Sequence, residues 1–272
     1  MRRGSLQARA TNQVIRGASA LRLRRPLGSL ARRLPDRLQD RLAEATRVAS
    51  KPAGGAGESL VRDDALTDSY REALSLLATR RSSEELGDYL EFGVYTGGTL
   101  TCMHRALDDL GLANVRLFGF DSFEGLPEAA RTEGDWRPGM YKASLEETTE
   151  KLNRAGIRWE RTTLVKGWFS ETLTDELVQE WGLTKASVVM IDCDIYSSTK
   201  AALDFCADLI VDDTIIFFDD WGFVPTGDQQ SGEEAAFREF LEAHPEFDVE
   251  ELDGCRHHEL ANTVRVSRRG AA

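Results

Sequence analysis

Only four cysteines occur in 272 residues, and Cys102, Cys193, Cys206 and Cys255 stand too far apart for a zinc knuckle or for the paired framework of a small secreted domain. A reducing, cytoplasmic setting is the expectation for such usage. Long hydrophobic runs are also missing. The best candidate, residues 201–218, is interrupted by Asp204, Asp208, Asp212 and Asp213, so no membrane-spanning helix is expected. A phosphate-cradling dinucleotide turn is absent as well. The glycine-rich stretch from Gly93 to Gly98 carries Tyr95 where a fingerprint of that kind needs its middle glycine, which disfavours NAD and FAD.

Charge is present in abundance and unevenly placed. Residues 1–51 hold 13 Lys and Arg against Asp36, Asp40 and Glu44, a balance of +10, which leaves −22 on the remainder of a chain whose net charge is −12. Pro52 to Gly57 then has the small-residue composition of a linker. The division expected is a basic extension and linker over residues 1–57 and one domain over residues 58–272. So acidic a domain would repel phosphates, and no nucleic-acid partner is expected. The arm, with Leu21, Leu23, Leu27, Leu30 and Leu34 among arginines, suits either a tail or a basic segment contacting a membrane or a protein, although Pro26 and Pro35 would interrupt a helix there.

Beyond Glu58, short apolar runs alternate with helical periodicity, the pattern of a parallel sheet covered by helices. Strands are expected at Asp88–Val94, Val115–Asp121, Thr162–Lys166, Ser187–Asp192, Thr214–Asp219, Phe247–Leu252 and Thr263–Ser267. Helices are expected at Asp68–Thr79, Thr99–Leu110, Ser144–Ala155, Glu171–Trp181, Ser198–Leu209 and Glu233–His244. The fold class that results is α/β, a doubly wound, Rossmann-like sheet of seven strands.

In such a sheet ligands bind beyond the carboxyl ends of the strands. The first strand ends in the turn Gly93-Val94-Tyr95-Thr96-Gly97-Gly98, which suits a phosphate-free ligand such as S-adenosylmethionine, and the second ends in Asp121, an acid able to accept both ribose hydroxyls. The fourth and fifth strands stop abruptly in Asp192-Cys193-Asp194 and Asp219-Asp220. Adjacent parallel strands would bring Asp192, Asp219 and Asp220 together, and three carboxylates so close repel unless protonated or bound to a cation. All-oxygen ligation without histidine favours a hard ion, Mg²⁺ first with Mn²⁺ or Ca²⁺ as alternatives, and disfavours Zn²⁺. Cys193 lacks a histidine partner in sequence and reads as a small buried residue. His257-His258 invites a metal reading, but adjacent side chains on a strand point to opposite faces. His104 reads as packing or surface.

The segments LEFGVYTGGTL, FGFDSFEGLPE, VKGWFSETL, IDCDIYSSTKAAL and FFDDW resemble the macrocin and mycinamicin sugar O-methyltransferase family (TylF/MycF type). The resemblance implies a class I methyltransferase fold, S-adenosylmethionine and Mg²⁺ as cofactors, a sugar hydroxyl of a glycoside or glycan as acceptor, and a homo-oligomer. It implies a cofactor site at Glu91, Gly93, Tyr95, Thr96, Asp121, Ser122, Gly167, Trp168 and Asp192, metal ligands at Asp192, Asp219 and Asp220, and Asp194 as the general base, with Asp192 beside it in the catalytic pair. Acceptor recognition is expected in the connections 127–142, with Trp136 and Tyr141, and 222–232. Trp136 or Trp221 would stack on a sugar face or pack within the domain. A catechol-type methyltransferase using the same acids, and a non-catalytic scaffold anchored by the arm, are the alternative functions.

Overall fold

The computed structural model describes residues 63–82, 85–134, 136–222 and 232–270. The expected basic arm and linker, and most of the expected second acceptor connection, lie outside the described residues. Helix α1 (Asp63–Arg80) precedes β1 (Asp88–Phe92), α2 (Gly98–Asp109), β2 (Leu117–Asp121) and α3 (Leu145–Ala155). Then come β3 (Thr162–Lys166), α4 (Phe169–Thr172), α5 (Asp175–Trp181), β4 (Ala186–Ile191) and α6 (Tyr196–Cys206). The chain closes with β5 (Asp213–Phe218), α7 (Glu233–Ala243), β6 (Phe247–Glu251) and β7 (Asn262–Arg268).

The seven strands form one sheet in the order β3-β2-β1-β4-β5-β7-β6. Strands β1 to β5 pair in parallel, and their sequences are the near-continuous apolar runs that burial on both faces demands; every residue of β4, ASVVMI, is buried. One core layer sets Tyr70, Leu74, Leu100 and Met103 against Tyr89, Met190 and Phe217, and the other sets Leu203 and Phe240 against Phe92, Phe120 and Ile191. Alternation along the strands divides side chains between the two layers.

Two elements depart from expectation. Strand β7 runs antiparallel to both β5 and β6. The connection from Glu251 to Asn262 holds only a short 3₁₀ turn, too little for the crossover helix that a parallel return requires. The helix expected over Glu171–Trp181 is two, because Thr174 Oγ1 accepts the Leu177 N–H at 3.3 Å and caps a new helix, α5. Helix α3 starts as its sequence advertises, with a Ser144/Glu147 capping box, and ends on Gly156 in the left-handed region. No helix among the described residues is long and apolar enough to cross a membrane.

Strand order reverses between β1 and β4, where successive connections leave the sheet on opposite sides and open a crevice. A cavity of about 460 Å³ occupies that crevice, a volume in the range of small-molecule sites.

Candidate active site

The floor of the cavity is the turn after β1, and only glycine permits its path. Gly93 has φ +95°, and a Cβ there would sit 1.7 Å from the carbonyl oxygen of Asp192, so the ends of β1 and β4 touch backbone to backbone. Val94 and Tyr95 both donate their N–H groups to Asp121 Oδ2 at 2.8 Å, and Phe123 donates its own to Oδ1 at 2.6 Å. Asp121 therefore holds the turn in shape as well as facing the cavity. Burial raises its carboxyl above the ordinary range, and those three N–H donors offset only part of the rise.

The structure brings together all but one of the expected site residues. Gly93, Tyr95, Thr96, Asp121, Ser122, Gly167, Trp168, Asp192, Asp194, Asp219 and Asp220 all line the cavity. Glu91 does not. Its carboxyl is buried beneath the turn, where Tyr89 Oη donates to Oε2 at 2.5 Å and Thr99 Oγ1 to Oε1 at 2.6 Å, and burial pushes its pKa up to about 8. Here the side chain lies on the core face of β1, in line with Tyr89, whose hydroxyl also meets that of Tyr70 at 3.0 Å.

Beside that turn, where β4 and β5 end, the acids converge. Asp192, Asp219 and Asp220 each offer a carboxylate oxygen within 4.8 Å of the others, as the pairing of β4 with β5 requires. Burial, followed by repulsion from Asp219, Asp194 and Asp220, raises Asp192 well above the usual carboxylate range. Asp194 is raised likewise, by burial and then by Asp220, whose carboxyl is near enough to share a proton with it. So much negative charge in one buried place calls for protons or a cation, and the donor set suits a hard divalent ion. Asp194 has φ +64°, Tyr95 +48° and Tyr141 +55°. Three non-glycine residues of the cavity wall thus hold a conformation that L-residues seldom adopt, as functional sites often do.

Asp219 behaves differently from its neighbours. Burial opposes its ionisation, but His257 Nε2 at 2.8 Å and His258 Nε2 at 2.9 Å meet its Oδ1 and hold the carboxyl well below the ordinary range. The two histidines belong to no strand; they lie between a 3₁₀ turn and β7, so alternation does not separate them and both reach one oxygen. Dismissing the pair on strand geometry is thereby corrected. Glu233, at the start of α7, was not expected here either. It accepts the Asp220 N–H at 3.0 Å, its own acidity is weakened by burial and by Asp220, and it reads in sequence as an ordinary first-turn acid.

The aromatic residues divide. Trp168 lines the cavity, and so does Tyr141, whose hydroxyl is pushed up by burial and then by Asp194. Trp136 is packed with Leu126, Ala130 and Ile195, and Trp221 lies on Phe218 and Phe237, so both serve the domain's own packing. Cys193 is buried against Thr199, with burial raising its thiol, and His104 is buried, its Nε2 accepting the Arg158 N–H at 3.1 Å.

Comparison with known proteins places this geometry in a family. The curated 8-demethyl-8-(2,3-dimethoxy-alpha-L-rhamnosyl)-tetracenomycin-C 4'-O-methyltransferase of Streptomyces olivaceus is 29% identical over 126 residues, 43% of this chain and 46% of that protein. The demethyldecarbamoylnovobiocin O-methyltransferase of Streptomyces niveus is 26% identical over 121 residues, 42% of this chain and 44% of that protein. The chain thus spans about half the length of the curated relatives it matches. Among solved structures, the O-methyltransferase NovP superposes with a TM-score of 0.60 at 17% identity, covering 86% of this chain and 98% of that one. The calicheamicin methyltransferase CalS11 does so with a TM-score of 0.55 at 21% identity, covering 91% and 100%. These likenesses show a shared α/β methyltransferase fold. The profile of the family described as Macrocin-O-methyltransferase (TylF) matches residues 58–250, and the chain belongs to that family.

Proposed function

We propose that the chain transfers a methyl group from S-adenosylmethionine to a sugar hydroxyl of a glycosylated natural product, with Mg²⁺ held by Asp192, Asp219 and Asp220. The observation that carries this reading is the convergence of those three carboxylates at one end of a cavity whose floor is the Gly93 turn. The relative from Streptomyces olivaceus is named for the 4'-hydroxyl of a rhamnosyl compound, which supports a sugar acceptor.

At the cofactor end, Asp121 keeps one acceptor site, on Oδ1, for a ribose hydroxyl beyond its three N–H contacts. Helix α2 begins at Gly98 without a side-chain cap, which leaves first-turn N–H groups suited to the cofactor's carboxylate. Trp168 and Phe169 wall the same cavity with apolar surface. Bound at the three acids, Mg²⁺ would supply Lewis acidity toward neighbouring sugar hydroxyls. Asp194 accepts the hydroxyl proton at its carboxylate, and burial first of all gives it a proton affinity above that of an ordinary carboxylate. Holding acceptor and methyl donor in one cavity supplies much of the rate.

The test is methyl transfer from labelled S-adenosylmethionine to a panel of rhamnosides and other glycosides beside simple catechols, with and without EDTA. Glycoside methylation that stops in EDTA and returns with Mg²⁺ is expected. Transfer to catechols alone would replace the sugar acceptor, and undiminished turnover in a metal-free assay would remove the cation from the reaction.

A further inference from the structure

We propose that His257 and His258 are a positioning pair that restricts Asp219 to ligation through a single oxygen, and so make the site select Mg²⁺ or Mn²⁺ over Ca²⁺. The inference rests on the metal reading of Asp192, Asp219 and Asp220.

The pair could itself be taken for two ligands of a second metal, since Asp219, His257 and His258 offer atoms within 4.8 Å of one another. The hydrogen bonds decide otherwise. His258 Nδ1 accepts the Leu260 N–H at 3.2 Å, so the proton of the neutral ring is on Nε2, which donates to Asp219 Oδ1. An Nε2 that carries a proton is no metal ligand. His257 Nδ1 is buried with no partner among the described residues, so a proton placed there would be stranded while Nε2 turned its lone pair on a carboxylate. His257 is therefore also an Nε2–H donor.

Both rings are held in place. The His257 side chain is fully buried, lies edge-on to His258 with centroids 4.5 Å apart, and rests on Phe217. The segment carrying them is tied to the end of β5 by the Gly222 N–H to Leu260 carbonyl bond, 2.7 Å, and by the pairing of Phe218 with Asn262. Two N–H donors thus occupy Asp219 Oδ1, and Oδ2 receives no hydrogen bond from the described residues. A carboxylate with one oxygen so committed cannot chelate through both. Ca²⁺ gathers six to eight oxygens, often from bidentate carboxylates, whereas Mg²⁺ takes six in near-ideal octahedral geometry. The pair lies beyond the residues matched by the family profile, which end at 250, so it is argued from this chain alone.

The test uses the full chain and Mn²⁺, followed by loss of the free-ion signal in electron paramagnetic resonance, with Mg²⁺ and Ca²⁺ as competitors and S-adenosylmethionine binding measured in parallel by calorimetry. Wild type is expected to bind Mn²⁺ and to yield it to Mg²⁺ at concentrations at least about tenfold lower than to Ca²⁺. His258→Ala is expected to weaken Mn²⁺ binding about 10–100-fold, the usual effect of losing such a partner, and to narrow the Mg²⁺ to Ca²⁺ preference while S-adenosylmethionine still binds. His258→Gln, which restores an N–H donor, should recover most of both. Wild type that binds S-adenosylmethionine but no Mn²⁺ would overturn the metal reading and the pair's role with it. Mn²⁺ binding unchanged in His258→Ala, or equal competition by Ca²⁺ in wild type, would overturn the pair's role and leave the metal reading standing.

Discussion

Replacing Glu91 by glutamine tests whether a buried acid beneath the glycine turn makes the fold sensitive to pH. Glu91 is fully buried and its pKa is pushed up to about 8 from an ordinary 4.5, chiefly by burial and against the hydrogen bonds from Thr99 and Tyr89. The sign follows from linkage. A carboxyl whose folded-state pKa lies above its unfolded value stabilises the fold fully below the unfolded pKa, and that contribution is lost as pH rises through the folded value. At ~1.4 kcal/mol per pH unit the whole window is worth about 5 kcal/mol, and the part between pH 5.5 and 8.5 about 3 kcal/mol. Glutamine has the same shape, can accept from Thr99 and does not titrate. Urea unfolding of wild type and Glu91→Gln at both pH values cancels the titration of the other acids. Wild type should lose about 3 kcal/mol more than the variant on going to pH 8.5. If the two proteins lose stability in parallel, within about 0.5 kcal/mol, Glu91 is ionised in the fold and the burial argument fails.

Asp121→Asn sets an amide N–H against the N–H groups of Val94 and Tyr95 or of Phe123, and removes the charge facing the cavity. Calorimetry should find S-adenosylmethionine affinity lowered by about 1–3 kcal/mol, and unchanged binding would detach Asp121 from the cofactor. Asp194→Asn places a residue that tolerates positive φ at +64° but cannot accept the hydroxyl proton. Turnover on a glycoside should fall by roughly 10²–10⁴-fold with S-adenosylmethionine binding near wild type, and recover in part at higher pH; near-normal turnover at neutral pH would return Asp194 to a structural role.

Much of the architecture was legible in the sequence because burial on both faces writes itself into a strand. A run such as Ala186–Ile191 has few structures other than a central parallel strand, and acids immediately after such runs can only stand at the carboxyl edge of the sheet. The Gly93 turn was legible for the same local reason, since its path tolerates no Cβ. Three things were decided by the tertiary structure alone. Strand β7 is antiparallel because its connection is too short to cross over, a matter of neighbours rather than propensity. Glu91 turned inward because alternation along β1 set it in line with Tyr89 on the core face, while the turn residues beside it faced the ligand side. The convergence of His257, His258 and Glu233 on acids some 13 to 39 positions earlier depends on α7 and the β6–β7 connection folding back over the end of β5. Local sequence determines which residues form strands and which turns admit a bare backbone, because those are short-range steric and solvation effects. Which distant hydrogen-bond donors meet a given carboxylate is set by chain path, and chain path is chosen by the packing of the whole domain.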